Sequence, residues 1–205
     1  ISVTLTKIMF QSENAMIVDD ALQRIDSVLN LQPLAEAARP QAPQGSSIEL
    51  EHVRFSYDGK KNALKNISLS IPAGQTVAFV GPSGGGKTTL ANIISRFFDP
   101  QSGVVKIGGV DVRDIPKEAL MNTVSFVFQN SRLIKASILE NVRMGKPYAT
   151  RQEVMRALEN AQCTDIIEKL PNGIDTIIGT KGVYLSGGEQ QRIAIARVML
   201  KDSPI

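Results

Sequence analysis

The chain has 205 residues, 42% of them hydrophobic and 21% charged, with a formal net charge of +3 at pH 7. These values fit one ordinary globular domain with a small appendage, and the interspersed charges argue against a nucleic-acid-binding surface. The single cysteine, Cys163, excludes an internal disulfide, fits a reducing compartment and has apolar neighbours that predict a buried thiol.

Residues 1–31 predict a helix, because apolar side chains recur near the 3.6-residue period. The first six residues are more apolar than the rest. This leaves open whether the helix is the end of a longer membrane helix or an ordinary amphipathic helix. Residues 32–47 are rich in proline, alanine and glutamine, which predicts a linker. The chain begins with Ile1 rather than Met and stops at the start of a strand signal, so we expect both ends to be cut points.

The remaining segments predict an α/β fold. Residues 48–55 and 67–71 alternate apolar and polar side chains, as half-exposed antiparallel strands do. Residues 76–80 and 124–128 are continuous apolar runs, which are typical of buried parallel strands. Helical signals cover residues 137–170 and 189–201. The sequence therefore predicts a parallel core with an antiparallel lip and a helical insert.

A glycine-rich loop lies between the predicted strand 76–80 and an apolar helical stretch, and it matches the phosphate-binding pattern G-x-x-x-x-G-K-[ST]. Glycines let backbone N–H groups turn around phosphate oxygens, and the positive end of the next helix adds attraction. Lys87 offers a positive charge to the terminal phosphates, and the Thr88 hydroxyl can bind Mg²⁺. The alternative is a glycine-rich turn with an exposed lysine. The candidate nucleotide-binding residues of the loop are Gly81, Pro82, Ser83, Gly84, Gly85, Gly86, Lys87, Thr88 and Thr89.

A second glycine motif opens the last predicted helix. Its residues are Leu185, Ser186, Gly187, Gly188 and Glu189. Ser186 is a good N-cap and Glu189 completes a capping box, so the motif alone is explained as a well-capped helix. Together with the phosphate loop it resembles L-S-G-G-[QE], the signature of the ATP-binding cassette (ABC) family.

The resemblance implies a P-loop NTPase fold with ATP and Mg²⁺ as cofactors. It also implies that two cassettes pair head to tail, so that each signature covers the ATP held by the other cassette's phosphate loop. A helix N-terminus with bare N–H groups suits a γ-phosphate. The implied partner is a second cassette, identical or different, and no nucleic acid is expected.

Two further residues are assigned by the same resemblance. Gln129 follows residues 124–128, where the family has a glutamine that touches Mg²⁺ or the attacking water. Lys87 and Gln129 are therefore the candidate catalytic residues, and Thr88 and Gln129 the candidate metal ligands. Tyr57 stands where the family has an aromatic ring that stacks on adenine. Without the resemblance, Gln129 is a solvated strand end and Tyr57 an ordinary strand tyrosine.

Two segments resemble exporter-type cassettes. Residues 137–142 match S-I-x-E-N-[IV], in the helical insert that meets the membrane domain, and residues 175–182 resemble the loop before the signature. Thr180 stands where that loop commonly has a glutamate, which puts a coupling contact through that carboxylate in doubt.

The resemblance covers residues 48–205 and implies a bacterial exporter-fold half-transporter. In that interpretation residues 1–31 are the cytoplasmic end of the last transmembrane helix and residues 32–47 are the linker. Residues 48–205 are then a nucleotide-binding domain that is truncated at its C-terminus. The transmembrane domain would belong to the same parent chain, with the cassette on the cytoplasmic side of the cell membrane.

The family's next element is an apolar strand ending in Asp-Glu, which supplies an Mg²⁺ ligand and the general base. The lone His52 precedes the phosphate loop and cannot be the family's switch histidine. We therefore expect ATPase activity in the full-length parent, and an unstable, inactive protein from the 205-residue piece alone. Three functions stay open: a transporter ATPase for a drug, lipid, peptide or siderophore, a soluble ABC protein acting on DNA or in translation, and a non-hydrolysing nucleotide-binding module.

Overall fold

The computed structural model describes residues 2–179 and 183–205, with side chains described from residue 15 onward. The chain divides into two compact units, Ile1–Ala35 and Glu36–Ile205. In the first unit, helix α1 spans Ser2–Leu29, two residues short of the predicted end. Its apolar side chains are largely exposed from Met16 to Leu29. Among the helices described, none is both long and apolar enough to span a membrane.

The second unit begins with an antiparallel sheet of four strands in the order β2-β1-β3-β4. The strands are β1 (Ile48–Ser56), β2 (Asn62–Ile71), β3 (Ser102–Ile107) and β4 (Val110–Asp111). This sheet confirms the antiparallel strands predicted from the alternating pattern. The turn between β1 and β2 is held by Asp58, whose Oδ1 accepts hydrogen bonds from the N–H groups of Lys60 (2.9 Å) and Lys61 (3.0 Å).

One face of the sheet is buried against two helices, α2 (Lys87–Ile94) and α3 (Lys117–Thr123). Apolar positions of the strands alternate inward, because successive side chains of a strand point to opposite faces. The fully buried side chains of this first core include Val53, Ile93, Ile107 and Ile115. The burial of α2 in this core fixes where the preceding loop ends.

A second hydrophobic core is built from helices, as predicted for the insert. Its helices are α4 (Ile138–Arg143), α5 (Arg151–Asn160), α6 (Thr164–Glu168) and α7 (Gly187–Lys201). A short ladder of β5 (Ala136–Ser137) and β6 (Ile177–Ile178) and the 3₁₀ turn Gly173–Asp175 complete it. Ser137, Thr150 and Ser186 begin α4, α5 and α7 with capping boxes.

Cys163 belongs to this helical core and is fully buried, which confirms the predicted structural thiol. Burial disfavours the charged thiolate and raises the pKa of Cys163 to about 11. The thiol is therefore protonated at neutral pH.

The two predicted parallel strands are wrong for this structure. Residues 76–80 and 124–128 form no ladder with any strand among the described residues, and Val80 is 92% and Phe128 54% exposed. A strand is stabilised by hydrogen bonds to a neighbour, and no described strand runs alongside these segments. One parallel pair does form at the first residue of the second segment, between Val124 and Ile205. Ile205 N–H donates to Thr123 O (3.0 Å), and Ser125 N–H donates to Ile205 O (2.7 Å).

The helical core can be tested with a pair of isoleucines. Ile138 is 0% exposed in the core, whereas Ile134 is 49% exposed a few residues earlier. We expect Ile138→Ala in the full-length protein to cost about 2–5 kcal/mol, because the removed methyl groups leave a cavity. Ile134→Ala should stay within about 0.5 kcal/mol. Amide hydrogen exchange of α5 and α7 measures both, and equal protection in the two variants would contradict this core.

Candidate functional site

The phosphate loop is shaped by glycines and held against the sheet. Gly86 is the N-cap residue of α2 and has left-handed backbone angles (φ 86°, ψ 3°). A Cβ at this position would lie 2.7 Å from the carbonyl oxygen of Ala63 on β2. Gly84 is also left-handed (φ 76°) but faces open space. Only glycine therefore fits at position 86, where the loop turns into the helix.

Lys87 folds back over the same loop. Its Nζ donates to the carbonyl oxygens of Gly81 (2.9 Å) and Pro82 (2.8 Å). The Gly85 N–H donates to Pro82 O at 3.1 Å and closes a tight turn inside the loop. The ammonium group and the first N–H groups of α2, which have no acceptor within the helix, thus lie along one short segment.

The residues of this segment fit a triphosphate with its Mg²⁺. No neighbouring atom lies within 4 Å of where a Cβ would be at Gly81 or Gly84, so the backbone is open to a ligand. Thr88 is exposed at the first turn of α2, where its hydroxyl is available to a cation, and Thr89 is buried beside it. The helix N-terminus and Lys87 supply the positive potential that phosphates need.

Tyr57 is brought to this loop. Its hydroxyl donates to Thr89 Oγ1 at 3.2 Å, and its ring lies edge-on to Phe98 (centroids 5.3 Å apart) and to Phe55 (4.8 Å). Tyr57 nevertheless remains 57% exposed. An exposed aromatic ring in a fixed orientation beside a phosphate loop suits contact with a flat base.

A residue missed by the sequence analysis fixes the backbone next to Tyr57. The Gln101 side-chain amide donates to Ser56 O (2.6 Å) and accepts from Ser56 N–H (2.7 Å), which imitates a strand partner. No signal in the sequence connects two residues this far apart along the chain, since their contact depends on how β1 pairs with β3.

The signature residues form a helix start with an open backbone. Ser186 Oγ accepts from Glu189 N–H (3.4 Å), and Glu189 Oε2 accepts from the N–H of Ser186 (2.8 Å). Hydrogen bonds from Ser186, the backbone N–H first, hold the pKa of Glu189 below its usual range. Leu185 is buried in the helical core and accepts from Gln190 Nε2 at 2.8 Å, so it anchors the motif.

Among the described residues, nothing requires Gly187 and Gly188 to be glycine. Neither has a positive φ, and a Cβ at either position would meet nothing within 4 Å. Glycine costs a helix about 1 kcal/mol relative to alanine. Two such residues at a capped helix start therefore point to close approach by something outside the chain.

The structure brings only some of the predicted residues together. Tyr57, Thr89, Lys87 and the loop are linked by hydrogen bonds, whereas Gln129 is exposed and bonds to none of them among the described residues. Likewise, no hydrogen bond in the described part of the chain joins the loop to the signature, which belongs to the other core. Thr180 lies outside the described residues.

A loop of this kind on an α/β scaffold, with a second glycine motif at a helix start, defines a nucleotide-binding domain. The family model "ABC transporter" matches residues 64–205, and the chain belongs to this family. The α/β class of the ABC cassette is thereby confirmed.

Relatives and a solved structure agree with this assignment. The chain is 45% identical over 186 residues to the ATP-dependent lipid A-core flippase of Desulfotalea psychrophila, covering 89% of this chain and 32% of that protein. It is 46% identical over 158 residues to the mitochondrial iron-sulfur clusters transporter ATM1 of Candida glabrata, covering 77% and 22%. A bacterial Atm1-family ABC exporter with ATP bound superposes with a TM-score of 0.80 at 34% identity, covering 91% of this chain and 33% of that one. The chain thus spans about a third or less of these proteins.

The loop geometry predicts the effect of a single methyl group. We expect Gly86→Ala in the full-length protein to weaken ATP binding at least about tenfold, because the strain of a left-handed alanine is on the order of 1–3 kcal/mol and the Ala63 carbonyl adds a clash. Gly59→Ala is the matched control, since Gly59 is also left-handed (φ 72°) but has open space around it. Titration with a fluorescent nucleotide measures both variants, and equal affinities would contradict the proposed loop contact.

Proposed function

We propose that this chain is the ATP-binding and ATP-hydrolysing cassette of an exporter-type ABC transporter. The observation that carries the proposal is the pair of open glycine segments, one at the start of α2 and one at the start of α7. Each presents bare N–H groups at a helix N-terminus, and each lies on a different core. Two such ends facing one ligand would hold a triphosphate from both sides.

In the proposed site, the loop residues bind the phosphates and Lys87 neutralises charge that develops on the terminal phosphate. The hydrogen bonds of Lys87 to two loop carbonyls hold its ammonium group beside the loop, where the phosphates would bind. The Thr88 hydroxyl and Gln129 would hold Mg²⁺, which would supply positive charge next to the phosphates. Tyr57 would orient the base, supported by its contacts with Thr89 and Phe98.

The signature residues Leu185–Glu189 would act on a second molecule. Because no hydrogen bond links them to the loop among the described residues of the same chain, we infer that Ser186 and Gly188 cover the ATP bound by a partner cassette. The open space around the two glycines supports such an approach. MgATP would then close the pair, and hydrolysis would open it again.

The relatives support the rest of the assembly. The names of those matched here describe movement of lipid A core, iron-sulfur clusters and β-(1→2)-glucan. We infer that the parent protein is a membrane transporter with the cassette on the cytoplasmic side, and that α1 leads to its membrane domain. The exposed apolar side chains of α1 between Met16 and Leu29 support this interpretation. The variety of relatives indicates that the cassette supplies energy and other residues select the substrate.

Replacement of one lysine tests the proposed activity. We expect Lys87→Ala in the full-length protein to lower ATP turnover by about 100-fold or more, because a charged donor aimed at the transferred phosphoryl group is lost. Lys60→Ala, on the turn between β1 and β2, is the control and should remain within about twofold of the wild type. A phosphate-release assay decides the question, and unchanged turnover in Lys87→Ala would rule out this role of the loop.

A further inference from the structure

A buried amide joins the first helix of the helical core to the segment before it. Asn141 on α4 is 0% exposed. Its Nδ2 donates to the carbonyl oxygens of Ile134 (3.1 Å) and Ser137 (3.0 Å), and its Oδ1 accepts from Ile134 N–H (3.0 Å). The side chain therefore fixes the shape of residues 134–141, which include most of the exporter-like segment 137–142.

Arg197 on α7 completes the same network from the signature helix. Its Nε donates to Asn141 O (2.8 Å) and its Nη2 to Asn141 Oδ1 (3.3 Å). Within the described residues the guanidinium forms no ion pair, and burial lowers the pKa of Arg197. Arg197 is half-buried and is held by hydrogen bonds to one asparagine rather than by a carboxylate, so these contacts add direction more than ion-pair energy. Its planar, directional donors do suit a role in fixing geometry.

The backbones of the two helices also touch near this point. A Cβ at Gly145, just after α4, would lie 2.2 Å from Arg197 O and 3.2 Å from the carbonyl carbon of Arg197. Any side chain at Gly145 would push α4 and α7 apart. The hydrogen bonds and this contact together leave little freedom for one helix to move without the other.

The link acts on the same side of α7 as the signature. Ser186 and Arg197 are separated by about three helical turns, roughly 16 Å along the axis, so they lie on nearly the same face. A small rotation of α7 about Arg197 would therefore move the Ser186 end. Farther toward that end, Arg192 is paired with Asp165 at 2.7 Å and 3.1 Å, which holds α7 to α6.

We propose that the Asn141–Arg197 pair is a positioning link that makes α4 and the signature helix move as one body. In this role it sets the MgATP concentration at which two cassettes pair, without contacting the nucleotide. The inference rests on the proposed function, because it requires the signature to cover a partner's ATP.

The test uses the full-length transporter. Arg197→Met keeps the aliphatic stem and removes the donors, and Arg197→Lys keeps the charge with a single donor group. Arg151→Met is the matched control, because Arg151 on α5 makes two hydrogen bonds to Asp175 (2.9 Å and 2.7 Å) away from α7. Three quantities are measured: the MgATP concentration for half-maximal cassette pairing by energy transfer between labels, the affinity for ADP, and the thermal midpoint.

We expect Arg197→Met to raise the MgATP midpoint of pairing about tenfold, given the usual strength of a hydrogen bond from a charged donor. ADP lacks the phosphate that the signature would cover, so its affinity should stay within about twofold. Arg197→Lys should give a smaller increase, above about twofold, and Arg151→Met should leave pairing unchanged.

The outcomes separate the two proposals. If Arg197→Met and Arg197→Lys each reach half-maximal pairing at the same MgATP concentration as the wild type, the positioning link is overturned. The link is also overturned if Arg197→Met and Arg151→Met both pair less well, each in proportion to its drop in thermal midpoint. Such a result would reflect a loss of stability alone. If Arg197→Met does not fold, Arg197→Lys decides by the same criterion. Failure of the wild-type protein to pair with MgATP would instead contradict the proposed function, and this inference with it.

Discussion

The second unit buries two hydrophobic cores, and each core presents one open helix N-terminus. The sheet core fixes α2 and the loop before it, where Gly86 is pressed against the carbonyl of Ala63. The helical core fixes α7 and the signature through buried Leu185. In the proposed site each end would satisfy only part of a triphosphate's demand for donors, and a second copy would complete it. The positive ends of both helices attract anions, and a shared ATP would contact both.

Because the two helix ends lie on separate cores, the contacts that orient α7 within the helical core matter. A helix that must meet a ligand on another molecule needs its orientation set from its own core. Arg197 and Gly145 set it on the α4 side, and Arg192 sets it on the α6 side. These contacts fix the orientation of α7 relative to α4 and α6. Forces applied at residues 137–142 would reach Ser186 through these contacts.

The features predicted from sequence were those with local causes. The glycine loop, the capping box at Ser186 and the buried Cys163 all follow from residues close together in the chain. The predicted strands at 76–80 and 124–128 were wrong, because a parallel strand depends on partners far away in sequence. Among the described residues, these two segments form one parallel pair, between Val124 and Ile205. The bond between Gln101 and Ser56 and the Asn141–Arg197 network were missed for the same reason. The assignments of Tyr57, Gln129 and the signature to ATP remain predictions.

The most direct test of a shared site is nucleotide retention in mixed pairs of full-length chains. One pair combines a Lys87→Ala chain with a Gly188→Asp chain, and the other combines a chain carrying both substitutions with a wild-type chain. A site shared between chains leaves one complete site in the first pair and none in the second. We therefore expect the first pair to retain one MgATP and the second to retain none. Retention in the second pair and not in the first would show that each chain completes its own site, and would contradict the shared site.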